Sequence, residues 1–173
     1  QAMRPAPLFL MDWKGDPFVT YQTHSPEETR ALGARLADQL RPGDVILLLG
    51  DMGAGKSELT RGIARGLGIE GYLPSPTFPI MQMYETGRLP LYHFDWYRLE
   101  SAEELYELSM DEYLYGEGVS VVEWPSQAEE VIPETYLEIM LTPTDDNERE
   151  ISLRPVGGFH AIDGEKLKET NEE

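Results

Sequence analysis

The chain has 173 residues, 40% of them hydrophobic, no cysteine and a formal net charge of -18. That length supports one core, the missing thiols exclude a disulfide framework and any thiolate metal site, and no apolar run approaches the roughly 20 residues of a membrane span. Between Asp95 and Glu150 there are 17 acidic residues against two basic ones, a field that repels nucleic acid unless a partner supplies positive surface. A solvated acidic face and a docking surface for a basic partner both account for it. The first residues lack a basic stretch followed by a long apolar one, so a cytoplasmic location is expected.

Residues 1–17, with three prolines and no periodicity, read as a flexible tail. "FVTYQTH" alternates like a strand. "SPEE" sets Ser25 as N-cap, Pro26 at the first helical position and Glu28 as the return partner of a capping box. Leu32, Leu36 and Leu40 then form a buried stripe that stops at "RPGD". "VILLL", Val45 to Leu49, is apolar on both faces, as an interior parallel strand should be. The next helix places Leu59, Ile63 and Leu67 on one side. Its Gly62 and Gly66 each cost roughly 1 kcal/mol against alanine, which predicts close packing there.

"FPIMQMYET" and "RLPLYHFD" flank Gly87 as a hairpin, and "SAEELYELSMDEYL" predicts a helix capped by Ser101. "GVSVVEW" is a short buried strand and "PSQAEEVI" a helix opened by Pro125. "YLEIMLTP" and "REISLRP" pair around "TDDNE". Residues 156–173 are polar and expected to be ordered only in part, leaving 18–155 as the domain.

Between the strand "VILLL" and its following helix, Gly50-x-x-x-x-Gly55-Lys56-Ser57 matches the phosphate-binding loop pattern in full. The glycines allow backbone N–H groups to turn inward around a phosphate at the positive helix end, Lys56 reaches the outer phosphates, and the Ser57 hydroxyl suits Mg2+. Gly50, Asp51, Met52, Gly53, Ala54, Gly55, Lys56, Ser57 and Glu58 are therefore the candidate nucleotide contacts. The expected architecture is α/β: a three-layer P-loop NTPase sandwich with central parallel strands, antiparallel edge strands and a late β-hairpin.

Phosphoryl chemistry also needs carboxylates at strand ends. Asp95 ends "LYHF" and Glu123 ends "VSVV". If both strands run parallel to "VILLL", both are candidates to hold or orient Mg2+ or to position a water. Otherwise Asp95 is a hairpin acid paired with Arg98, and Glu123 a charge near a helix start. Trp124, beside Glu123, reads equally as core or contact. "PSPTF" is stiffened by two prolines and carries the Thr77 hydroxyl, which suits a segment that senses a γ-phosphate, while its residues alone favour an ordinary proline loop. His93 reads as a hydrogen-bonded core histidine. Arg88 and Arg98 are the only cations between Gly66 and Glu148, so no arginine-rich lid exists for a small-molecule kinase. No lysine falls between Lys56 and Lys166, which removes the Asn-Lys-x-Asp signature of guanine-specific proteins and favours ATP.

The blocks "GDMGAGKS", "SPTF", "YETGRLPLYHFDWYRL", "EELYELSMDEYL" and "GVSVVEWP" in this order resemble the TsaE (YjeE) family of small bacterial P-loop ATPases, over about Thr23 to Leu153. The resemblance implies an ATP- and Mg2+-dependent ATPase that works with TsaD and TsaB in making threonylcarbamoyladenosine at position 37 of tRNAs reading codons that begin with A. The tRNA would be held by the partners. It further implies Lys56 as the phosphate lysine, Ser57 as a Mg2+ ligand, Asp95 as the Walker B-type acid and Glu123 as the second acid at the metal. Thr77 would belong to a switch-like loop, and Trp124 would be needed for function. The chain departs from the family pattern at Ser57, usually threonine, at Pro79, and at Trp96, where a smaller apolar residue is usual. A nucleotide-gated binding module that does not need hydrolysis is the alternative.

Overall fold

The computed structural model describes residues 18–72 and 80–168. Its centre is β2 (Val45–Leu49), buried at every position. Parallel partners flank it on both sides, β5 (Val119–Glu123) and β6 (Tyr136–Pro143). β4 (Leu91–Asp95) extends the parallel set beyond β5, and β3 (Met81–Tyr84) closes that edge antiparallel. On the other side β7 (Arg149–Val156) folds back on β6 as the late hairpin, and β1 (Val19–Thr23) pairs antiparallel with it. The seven-stranded order is β1-β7-β6-β2-β5-β4-β3, with the expected parallel centre and antiparallel edges.

Two helices cover one face of the sheet, α1 (Pro26–Ala37) and α2 (Lys56–Gly66), packing on Ile46, Leu48, Val121 and Ile139. The opposite face buries Val45, Leu47, Phe94 and Val122 under Trp96, Leu105, Leu114 and Val131. Ser25 caps α1, accepting from the Glu28 N–H at 3.1 Å. The return bond from the Glu28 carboxylate goes to the His24 N–H, one residue ahead of the cap.

The α1–α2 seam explains the two helical glycines. A Cβ on Gly62 would sit 2.0 Å from the Arg30 carbonyl oxygen, and one on Gly66 2.5 Å from that of Ala34. Gly62→Ala, a change that stabilises an ordinary helix by about 1 kcal/mol, is here expected to destabilise the fold by about 1–3 kcal/mol. Thermal melting should show a midpoint several degrees lower.

Two predicted helices differ from expectation. The segment from Ser101 forms only a short helix, α3 (Glu103–Glu107), entered at Ala102 with no side-chain cap. It breaks at Ser109 (φ 55) and resumes as 3-10 turns over Met110–Tyr115. The reason is burial: Leu105 and Leu114 both enter the core. Nine residues apart at about 100° each, they would point to opposite sides of one continuous α-helix. Likewise Pro125–Val131 is a pair of 3-10 turns kinked at Ala128, burying Pro125, Ala128 and Val131. That spacing of three matches the 3-10 repeat rather than the α-helical one.

After β7 the chain returns to the α1 side, where Phe159, Ile162 and Leu167 are buried. His160 Nε2 lies 2.7 Å from the Asp44 carboxylate, and the Tyr21 hydroxyl donates to the Gly164 carbonyl at 2.6 Å. Among the described residues no helix is long and apolar enough to cross a membrane.

Candidate functional site

The loop leaving β2 turns through Gly53 (φ 80) and Gly55 (φ 102), left-handed conformations that favour glycine, and enters α2 at Lys56. The Ala54 N–H closes a turn on the Asp51 carbonyl at 3.1 Å. Arg149, at the start of β7, braces the loop from outside. Its Nε donates to the Ala54 carbonyl at 2.9 Å and its Nη2 to the Gly53 carbonyl at 3.1 Å. Because a peptide's C=O and N–H point opposite ways, an Ala54 carbonyl held outward leaves the Gly55 N–H directed away from Arg149. Nη1 of the same guanidinium caps the carbonyls of Asp145, Asp146 and Glu148 in the β6–β7 turn.

Asp95 and Glu123 end neighbouring parallel strands in direct register, and Glu123 is also level with Leu48 at the end of β2. The condition on which both depended as candidates therefore holds. Lys56, Ser57, Asp95, Glu123 and Trp124 line one cavity of about 340 Å³, with Met52, Gly53, Gly55, Glu58 and Arg149 completing its wall. Asp95 Oδ1 accepts from the Tyr97 N–H at 3.0 Å, which steadies its carboxylate.

Lys56 is only 6% exposed. Burial lowers its pKa, against the opposing pull of Glu123, Asp95 and Asp51. Its ammonium lies 4.0 Å from the centroid of the Trp124 ring, a cation–π contact in a partly dry site. Trp124 reaches that position from a left-handed backbone (φ 57, ψ 51), strain of about 1–2 kcal/mol for a residue with a Cβ. Tyr97 supports the indole from beside it, the ring centroids 5.0 Å apart.

Behind the carboxylates, His93 is fully buried, and its Nε2 lies 2.7 Å from Glu123 Oε2. The expected core histidine is therefore a partner of the candidate site. Glu58 reaches the cavity wall, but its carboxylate is engaged by Arg30 at 2.5 Å. Thr77 lies outside the described residues. Of the two arginines singled out from sequence, Arg88 donates to the Ala37 and Leu40 carbonyls at the end of α1. The cation that does stand at the loop, Arg149, was missed. Its signal was its isolation, since only it and Arg98 interrupt the acidic stretch from Asp95 to Glu150.

Two carboxylates and a serine hydroxyl are hard oxygen donors of the kind Mg2+ prefers, so the residues present fit that ion. Among the described residues no three acidic or histidine side chains gather to hold a metal alone.

A parallel-centred sheet whose middle strand feeds a glycine loop into a helix start is a P-loop NTPase-like α/β protein. Its structural likeness is to YdiB of Bacillus subtilis, with a TM-score of 0.69 and 42% identity over 81% of this chain and 86% of that one. Residues 23–151 match the family profile described as threonylcarbamoyl adenosine biosynthesis protein TsaE, and the chain belongs to that family. It is 45% identical to the tRNA threonylcarbamoyladenosine biosynthesis protein TsaE of Bacillus subtilis, over 86% of this chain and 93% of that protein. To the protein of the same name from Nostoc sp. it is 41% identical, over 75% and 81% respectively.

Proposed function

We propose that this chain is the Mg2+-dependent ATPase subunit that acts with TsaD and TsaB in the cytoplasm to form N6-threonylcarbamoyladenosine at position 37 of tRNAs reading codons beginning with A. The observation that carries the reading is the convergence of Lys56, Ser57, Asp95 and Glu123 on one cavity beside the loop. ATP would lie with its phosphates along the loop from Gly50 to Ser57. Lys56 and the loop amides would hold the outer phosphates, and Ser57, Asp95 and Glu123 would hold Mg2+. The ion, when bound, neutralises charge on the phosphate oxygens.

Glu123 orients a water in line with the γ-phosphate. The water oxygen bonds to phosphorus, the bridging oxygen leaves with ADP, and a proton is released to solvent. Trp124 excludes water from one side of Lys56 and keeps its charge effective. Thr77 is assigned to sensing the γ-phosphate. Arg149 makes five hydrogen bonds to backbone carbonyls, which tie its guanidinium to the loop and the hairpin turn and argue against its moving in as an arginine finger. Turnover by the isolated chain is therefore slow, and a partner supplies the missing cation. The acidic surface agrees with tRNA being held by the partners.

The test is Mg2+-ATP turnover by the protein alone and with a matched TsaD–TsaB pair. A rate near zero alone that rises with the pair supports the reading. No change on adding the pair refutes the partner-activated mechanism.

A further inference from the structure

Glu123 is held from behind by His93, which is backed in turn by the half-buried Tyr72. His93 Nε2 lies 2.7 Å from Glu123 Oε2, and His93 Nδ1 lies 3.3 Å from the Tyr72 hydroxyl. An ionised carboxylate only accepts, so the proton in the shorter bond sits on Nε2. In a neutral ring Nδ1 is then the acceptor, and the Tyr72 O–H donates to it. Burial raises the Tyr72 pKa, with Tyr84 and Glu123 adding to the effect, so the phenol keeps the proton it donates. The Tyr72 ring rests tilted against Tyr84, centroids 5.0 Å apart.

We propose that His93, backed by Tyr72, is the positioning residue that orients Glu123 toward the attacking water. The proposal rests on the reading of Glu123 given above. With Oε2 tied to the imidazole, Oε1 is the oxygen left to meet water or an ion in the cavity. The strand supports the same division of labour. His93 stands two residues before Asp95 on the same face of β4, so one strand presents the first acid directly and orients the second through the imidazole.

The experiment compares His93→Leu, His93→Gln, Tyr72→Phe and Glu123→Gln, each assayed for ATP turnover in the complex with TsaD and TsaB and for ATP binding by calorimetry. His93→Leu should lower kcat about 10–100-fold with binding kept, as loss of a partner that orients a functional group does. His93→Gln, which can place an N–H near the Nε2 position, should recover much of that loss. Tyr72→Phe keeps the ring packing and should give a smaller fall in kcat, with the His93 Nδ1 resonance shifting in 15N NMR as its hydrogen bond is lost while the proton stays on Nε2. Added to Glu123→Gln, His93→Leu should have no further effect. If Glu123→Gln abolishes turnover while a folded His93→Leu and Tyr72→Phe both leave kcat intact, the positioning role is overturned and the reading of Glu123 survives. If Glu123→Gln itself leaves turnover unchanged, that reading fails and takes the proposal with it. Should His93→Leu fail to fold, Tyr72→Phe decides: an unchanged kcat overturns the proposal.

Discussion

Glu123→Gln is expected to bind ATP and to lose turnover by ~10²–10⁴-fold, the range that a positioned acid or base contributes. The amide keeps the volume, and its carbonyl still accepts the His93 N–H, so the buried ring is not orphaned. What disappears is the negative charge 5% exposed at the end of β5, level with Asp95. Single-turnover hydrolysis with the TsaD–TsaB pair measures the loss. The same variant separates two functions for the site. If tRNA modification falls with hydrolysis, ATP is consumed to drive the cycle. If modification persists without hydrolysis, the chain is a nucleotide-gated module in which occupancy of the loop suffices.

The second large effect is at Lys56. Methionine there should weaken ATP binding and lower turnover by ~10²–10³-fold, the cost of removing one preorganised charge partner from a developing phosphoryl oxyanion. The loss is not expected to come from misfolding. Burial outweighs the attraction of Glu123, Asp95 and Asp51 in setting the Lys56 pKa, so the folded site disfavours the ammonium. A group whose folded pKa lies below its unfolded value weakens the fold at neutral pH and does so less as pH rises through the folded pKa. Lys56→Met should therefore melt no lower than the parent protein in the absence of nucleotide, and its advantage should shrink at alkaline pH. Calorimetric melting at two pH values, beside a nucleotide-binding titration, checks both halves. A markedly lower melting point would show that the lysine supports the fold rather than opposing it.

The parts of the molecule legible from sequence are those whose signals are local. The loop, its preceding strand and its following helix are contiguous, and the fully apolar run Val45–Leu49 could only be an interior strand. The two carboxylates were legible as candidates for a related reason: each ends a short apolar strand, and they fall side by side on the condition, met here, that those strands run parallel to β2. Ser109 and Ala128 were not legible, because each break answers to burial on a face that only the assembled sheet defines. Arg149 lies 95 residues beyond Ala54 in the chain, and nothing near either residue points to the other. His93 was read as a satisfied core residue, which is correct as far as burial goes. Its partner on β5 follows from the parallel pairing of β4 with β5, a relation no local pattern states.

The brace supplied by Arg149 bears on how a ligand is received. A glycine-rich loop left to itself samples many backbone states, and ordering it would subtract from the free energy of any association. Here the carbonyls of Gly53 and Ala54 already have donors, so much of that loss of freedom is incurred when the chain folds. A nucleotide bound as proposed would then meet a receptor set in advance. The same guanidinium also grips the turn at Asp145, Asp146 and Glu148, so the loop and an exposed hairpin tip share one mechanical joint.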